Sequence, residues 1–231
     1  MFRFAQAPDG CENLVALCPE TVYDNVSNGR VVRAVQKKSK NTTKKKIVSA
    51  AWKLFYDQGY DHTTIDDIIA LSGTSKGSFY HYFNGKDALL SSLSFLFDEK
   101  YEELLPQLDP EMDAFDKLMY LNGELFTMVE NTVPIDLLAS LYSTQLITKG
   151  EKHLLDRNRI YYRLLRQIVI EGQERGQIRA DLTSNDLTRA YAMCERALLY
   201  DWCICNGEYS LKTHARQMMP LLLGYMRADQ K

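Results

Sequence analysis

Thr63–Leu90 reads TTIDDIIALSGTSKGSFYHYFNGKDALL. This stretch decides the fold. It parses as two short helices joined by a tight turn, then a break, then the start of a longer helix. Thr64 can cap the first of these helices. Asp67, three residues on, completes a capping box with Asp in place of Glu. Ile65, Ile68, Ile69 and Leu71 supply its buried side, and Ser72-Gly73-Thr74 is the turn. Ser75 caps the next helix, Lys76 to about Tyr82. Phe79 and Phe83, four residues apart, anchor it on its neighbours. That leaves Lys76, Gly77, Ser78, Tyr80, His81 and Tyr82 for its outer and flanking surfaces.

Upstream, a helix is expected from about Thr43 to Gln58, with Ile47, Ala50, Ala51, Leu54 and Phe55 as one apolar stripe. Gly59 suits the left-handed position that ends a helix. Lys44, Lys45 and Lys46 are placed in its first turn, where cations oppose the helix dipole and a phosphate would relieve them. Lys86 is read in the same way, in the first turn of a fourth helix.

These residue types suit a DNA task. The N-terminal residues of a recognition helix meet base edges in the major groove. Gly77 lets the backbone come close, and Lys76 can donate to guanine or to phosphate. Tyr80 offers a ring for a thymine methyl and a hydroxyl for phosphate. Thr64, Ser75 and His81 are phosphate-type contacts. Charge agrees. The chain carries a net charge of −2, yet residues 30–95 hold 11 Lys/Arg against 5 Asp/Glu, a local +6, while residues 96–231 carry −5 and residues 1–29 carry −3. A basic segment that coincides with a helix-turn-helix is the electrostatic footprint of a DNA binder.

The segment from Lys46 to Leu90 closely resembles the N-terminal domain of the tetracycline-repressor (TetR) family of transcriptional regulators. Ile47, Ala50-Ala51, Leu54-Phe55, Gly59-Tyr60, Thr63-Thr64, Ile68, Gly73, Ser75-Lys76-Gly77, Tyr80-His81, Phe83 and Lys86-Asp87-Ala88-Leu89-Leu90 carry the resemblance. It departs from the family pattern at Phe79, where a smaller aliphatic is usual, and at Gly85, where a capping Ser is common. Ser78 falls at a variable position suited to tuning sequence preference. The resemblance implies DNA contacts from Thr64, Ser75, Lys76, Gly77, Ser78, Tyr80, His81 and Lys86. It also implies a homodimer on a double-stranded DNA operator, and a second domain holding a small-molecule effector.

The remaining sequence fits that plan as an all-α chain of about nine helices. The expected organisation is a disordered basic extension over residues 1–41, a helix-turn-helix domain over 42–90, and an effector-binding and dimerisation domain over 91–231. Within the last, helices are expected near 86–104, 111–131, 134–147, 151–175, 184–205 (capped by Ser184) and 210–227. Leu187, Ala190, Cys194 and Leu198 with Leu211, Met218 and Leu222 form stripes suited to a four-helix dimer seam, or else to packing within one subunit. Tyr120, Phe126, Tyr142 and Tyr161 are candidate lining residues for an apolar or amphipathic effector, each also explicable as core. Glu124 and Glu195 are read as surface or ion-paired residues, with orientation of a cationic ligand as the sharper alternative.

Other classes find less support. No run approaches the ~18 apolar residues of a membrane span. No secretory signal is evident at the N-terminus, so a cytoplasmic protein without membrane contact is expected. Five cysteines without CxxC spacing point to reduced thiols. His62, His81, His153 and His214 make no metal set. Neither a Gly-rich phosphate loop nor a nucleophile motif is present, so no cofactor, metal or catalytic residue is expected. The alternatives are a small-molecule-binding protein with a vestigial DNA head, and an enzyme using the helical cavity.

Overall fold

The computed structural model describes residues 32–147 and 152–228, with side chains from Thr42 onward. Among the described residues the secondary structure is helical, apart from one isolated antiparallel bridge between Ile178 and Arg227. The chain divides into two compact units after Ser92.

The N-terminal unit contains α1 (Val32–Gln58), α2 (Ile65–Ser72), α3 (Lys76–Tyr82) and the single turn α4 (Asp87–Leu90). Helix α1 starts eleven residues earlier than expected from Thr43. No Gly or Pro interrupts residues 32–58, and like-charge repulsion among lysines costs only tenths of a kcal/mol per pair. The expected extension over 1–41 therefore contains helix from Val32, and residues 1–31 lie outside the described residues. Lys44, Lys45 and Lys46 accordingly sit in mid-helix, so the end-of-helix dipole argument for them does not hold. Helix α1 packs on α2 and α3 through the buried Ile47, Ala51 and Phe55, against Ile68 and Phe79. Leu71 departs from the expected buried side and is exposed.

The C-terminal unit contains α5 (Leu93–Leu104), α6 (Ala114–Thr132), α7 (Ile135–Ile147), α8 (Ile160–Glu174), α9 (Ser184–Ile204) and α10 (Leu211–Leu223), with 3-10 turns at Leu105–Gln107, His153–Leu155 and Gly224–Met226. The expected helix over 86–104 is broken. The hydroxyls of Ser91 and Ser92 donate to the carbonyls of Ala88 and Leu89, at 2.6 and 2.5 Å. Such local bonds compete with the helical ladder. The expected start at Glu111 moves to Ala114 because Asp113 caps α6 through the Phe115 and Asp116 amides. Helix α8 starts at Ile160 instead of Glu151, after a turn in which Asp156 accepts from the Asn158 amide. Thr183, not Ser184, caps α9, accepting from the Asp186 amide at 3.1 Å.

Helix α6 lies at the centre of this unit, packed against α10, α8 and α5, while α9 packs against α8, α10 and α7. Gly172 makes this layering possible. A Cβ there would stand 2.6 Å from that of Ala114 and 2.8 Å from Ile178 side-chain atoms. Past Leu223 the chain leaves the helix and pairs back onto the connector, with Arg179 N donating to Met226 O at 2.9 Å and Ala228 N to Gln177 O at 3.0 Å.

Candidate nucleic-acid interface and effector domain

The capping box at α2 forms as the sequence suggests. Thr64 Oγ1 accepts from the Asp67 amide at 3.1 Å, and Asp67 Oδ2 accepts from the Thr64 amide at 2.9 Å. These bonds hold the Asp67 carboxyl below the usual range. Gly73, at φ +62°, ends α2 in the left-handed conformation that a β-carbon disfavours. The chain then turns into Ser75, whose hydroxyl accepts from the Ser78 amide at 3.1 Å and caps α3.

Phe79 is fully buried and its ring meets that of Phe83, with centroids 5.9 Å apart. Anchoring this side of α3 turns the other outward. Lys76, Gly77, Tyr80 and His81 are exposed and Ser78 is half-buried. Tyr80 is 47% exposed, its ring edge-on to Phe79 with centroids 5.4 Å apart. Lys76 reaches Asp66 at 3.5 Å, a loose pair with both partners in solvent and therefore worth little. A Cβ on Gly77 would meet nothing closer than Ser75 Oγ at 3.9 Å, so no contact within the chain demands glycine there.

Two candidate contacts have structural duties as well. The Thr64 hydroxyl is engaged in the cap, donating to Asp67 Oδ2 at 2.6 Å. Lys86 turns inward: Nζ donates to the Tyr60 carbonyl at 2.7 Å and lies 4.1 Å from the centre of the Tyr60 ring. The Tyr60 hydroxyl in turn donates to Asp87, and burial with the Asp87 carboxylate pushes its pKa up. Trp52 Nε1 donates to Ser92 Oγ at 2.8 Å. These bonds tie the turn after α3 to α1. Sequence reading missed them because the partners are up to 40 residues apart.

In the C-terminal unit, a groove of about 310 Å³ lies between α6 and α10. Met119, Tyr120, Asn122, Glu124, Lys212 and Met219 are among its lining residues. Of the four candidate lining residues, Tyr120 is there. Phe126 is fully buried, and Tyr142 is half-buried on α7. Tyr161 belongs to a separate buried cluster. Its hydroxyl donates to Glu195 Oε2 at 2.5 Å, while Glu195 Oε1 accepts from Asn122 Nδ2 at 2.9 Å and from the Tyr101 hydroxyl at 3.4 Å. Tyr191 lies alongside, its hydroxyl donating to the Leu118 carbonyl at 2.9 Å.

Glu195 is thus neither a surface residue nor ion-paired among the described residues, which overturns the favoured reading of it. Helix periodicity put Glu195 on the inner face of α9, and neutral donors from three other helices surround it there. Burial pushes its carboxyl above the usual range, against the hydrogen bonds from Asn122 and the tyrosines that pull it down. Burial and the Glu195 charge hold the Tyr101 and Tyr161 hydroxyls protonated well past their ordinary value.

The family model for bacterial regulatory proteins of the tetR family matches residues 47–93, which spans all three helices of the head and the ties beneath them. The chain belongs to the TetR family through this domain. The HTH-type transcriptional regulator QacR of Staphylococcus aureus (strain Mu50 / ATCC 700699) is 30% identical over 92 residues, 40% of this chain and 49% of the relative. An uncharacterized HTH-type regulator of Bacillus subtilis (strain 168), YxaF, is 32% identical over 109 residues, 44% of this chain and 57% of the relative. The chain spans about half the length of the curated relatives it matches. Two solved structures share the fold more widely. Thermus thermophilus FadR, a TetR-family transcriptional repressor in complex with lauroyl-CoA, aligns with a TM-score of 0.65 at 22% identity, over 80% of this chain and 96% of its own. Bacillus subtilis FadR in complex with stearoyl-CoA aligns with a TM-score of 0.60 at 21% identity, over 78% and 97%.

No helix among the described residues is long and apolar enough to cross a membrane, and none of their His, Cys, Asp and Glu side chains group as a metal site.

Proposed function

We propose that this TetR-family chain is a homodimeric, ligand-responsive transcriptional regulator, a repressor that a small apolar or amphipathic molecule releases from its operator. The observation that carries this reading is α3. Buried Phe79 and the Ser75 cap fix the helix, and Lys76, Gly77, Tyr80 and His81 stand on its open side. Gly77, which nothing within the chain requires, fits close approach of the backbone to a groove. Thr64, Ser75 and Ser78 fit phosphate or sugar contacts from the same end of the head. Lys86, tied to Tyr60, contributes more through the frame that holds α3 than through a freely extended ammonium.

Dimerisation is supported by a face different from the expected one. Leu187, Leu198 and Leu211 are buried within their own subunit. Met193, Tyr200 and Ile204 on α9, with Leu221, Leu222 and Tyr225 on and just after α10, are exposed instead, Leu221 at 76% and Ile204 at 59%. The spacing 193, 200, 204 follows one helical face, so the two C-terminal helices present an apolar surface of the kind a second copy covers. A dimer presents two α3 helices to major grooves one DNA turn, about 34–36 Å, or a multiple apart. An effector that prefers another arrangement lowers operator affinity by its differential binding to the two states.

Selection of bound sequences from random duplex DNA tests the reading. A palindromic or pseudo-palindromic motif is expected, lost in Tyr80→Ala and Lys76→Ala while both remain folded. Recovery of no enriched sequence by a folded dimer would overturn it and favour a small-molecule binder with a vestigial head.

A further inference from the structure

The effector domain buries three acidic or basic groups with different company. Asp98 is matched by Arg159, and Lys117 by Glu171 at 2.8 Å. Glu195 is buried to the same degree, yet among the described residues it has no basic partner. Its acceptors face the hydroxyls of Tyr161 and Tyr101 and the Asn122 amide. A 2.5 Å O–H···O contact is of the length that a charged acceptor gives. Stability alone does not account for this residue, because apolar replacements of buried charge are often neutral or stabilising.

The surroundings are suited to a positive charge. The rings of Tyr101 and Tyr161 lie 5.2 Å apart, and that of Tyr162 lies 4.8 Å from Tyr161. Aromatic faces beside a desolvated carboxylate recognise ammonium groups. Asn122 connects the cluster to the outside: the same residue lines the groove between α6 and α10 and donates to Glu195. The groove adds an apolar wall from Met119, Ala215 and Met219.

We propose that the effector is an amphipathic organic cation, its apolar part against the Met119–Met219 groove and its ammonium group drawn past Asn122 to Glu195 and the Tyr101–Tyr161 rings. The proposal rests on the ligand-responsive reading above and gives that effector its charge. Lys212 and Arg216 line the groove along with Glu124, so an anion has an alternative place to bind, and both signs of charge belong in the test.

Three probes with one tail, decyltrimethylammonium, decanoate and 1-decanol, are titrated into the full chain by calorimetry at pH 8, below micelle formation. The cation is expected to bind at least tenfold tighter than decanoate. Glu195→Gln should erase that preference and leave decanol unchanged. Tyr161→Phe keeps the ring and removes the competing donor, so it should retain or improve cation affinity; it serves as the second variant if Glu195→Gln unfolds. Decanoate binding as tightly as the cation, an undiminished preference in folded Glu195→Gln, loss of cation binding in folded Tyr161→Phe, or no binding of the cation to the wild type would each overturn the proposal. Operator affinity is measured separately. A cation that binds through Glu195 without altering DNA affinity would sink the regulatory reading and leave the site standing.

Discussion

Arg159 holds Asp98 through two bonds of 3.0 Å, from Nε and Nη2 to the two carboxylate oxygens, 61 residues apart in sequence. The same arginine donates to the Ser94 carbonyl at 2.7 Å, and Asp98 also accepts from the Tyr161 amide at 3.2 Å. This pair fixes the start of α8 on α5, and with it the position of Tyr161 beneath Glu195. Both side chains are only 9% exposed.

Removing one partner should therefore be severe. Arg159→Met leaves Asp98 buried and uncompensated, and is expected to cost about 3–5 kcal/mol in urea denaturation. Asp98→Leu combined with Arg159→Met should recover most of that loss. Equal stabilities for the single and double variants would show that the pair carries no such penalty.

On α3 two adjacent aromatics should behave oppositely. Phe79→Ala empties a fully buried site and is expected to lower stability by about 3–5 kcal/mol. Tyr80→Ala should stay within about 0.5 kcal/mol of wild type, yet weaken operator binding by about 1–3 kcal/mol if the ring reads a base. Wild-type operator affinity in Tyr80→Ala would remove the residue from the interface.

Gly172 tests the packing of α8 on α6. Gly172→Ala forces a methyl into the space of Ala114 and Ile178, and overpacking of this kind costs about 1–3 kcal/mol. Thermal unfolding of the variant beside Gly123→Ala, where a Cβ meets nothing within 4 Å, separates the packing effect from the general effect of a helical glycine.

Glu99 gives the pH dependence. Its Oε2 is buried with no hydrogen-bond partner among the described residues. Burial, with Glu102 and Asp98 nearby, pushes its carboxyl from 4.5 to about 7. The folded state holds this proton more tightly than the unfolded chain, so the group's contribution to stability is full below pH 4.5 and is lost as pH rises through 7. Solvent around the half-exposed side chain reduces the effect to on the order of 1 kcal/mol. Glu99→Gln should be more stable than wild type at pH 8, and the gap should close at pH 4. A gap independent of pH would exclude titration of this group as its source.

The apolar face on α9 and α10 predicts which substitutions split the dimer. Met193→Glu and Leu221→Glu should yield folded monomers in sedimentation, because both positions are exposed in the single chain. Leu187→Glu should unfold the subunit instead. Dimers that persist in both surface variants would place the seam elsewhere.

The head was legible in the sequence because its determinants are local. A capping box spans three residues, a left-handed glycine ends its own helix, and Phe79 and Phe83 sit one turn apart on one face. Helix boundaries in the second unit were less legible. Ser91, Ser92, Asp113 and Asp156 redirect nearby backbone bonds in ways that apolar periodicity does not register. The dimer stripe was misassigned because α9 and α10 are apolar on more than one side, and only the packing of α6 and α8 decides which side is covered. Glu195 shows the limit most clearly. Its position on α9 is set by the sequence, but its chemistry depends on Tyr101, Asn122 and Tyr161, brought from three other helices over separations of 34 to 94 residues. Local spacing carries no record of such contacts, since they exist only once the helices have packed.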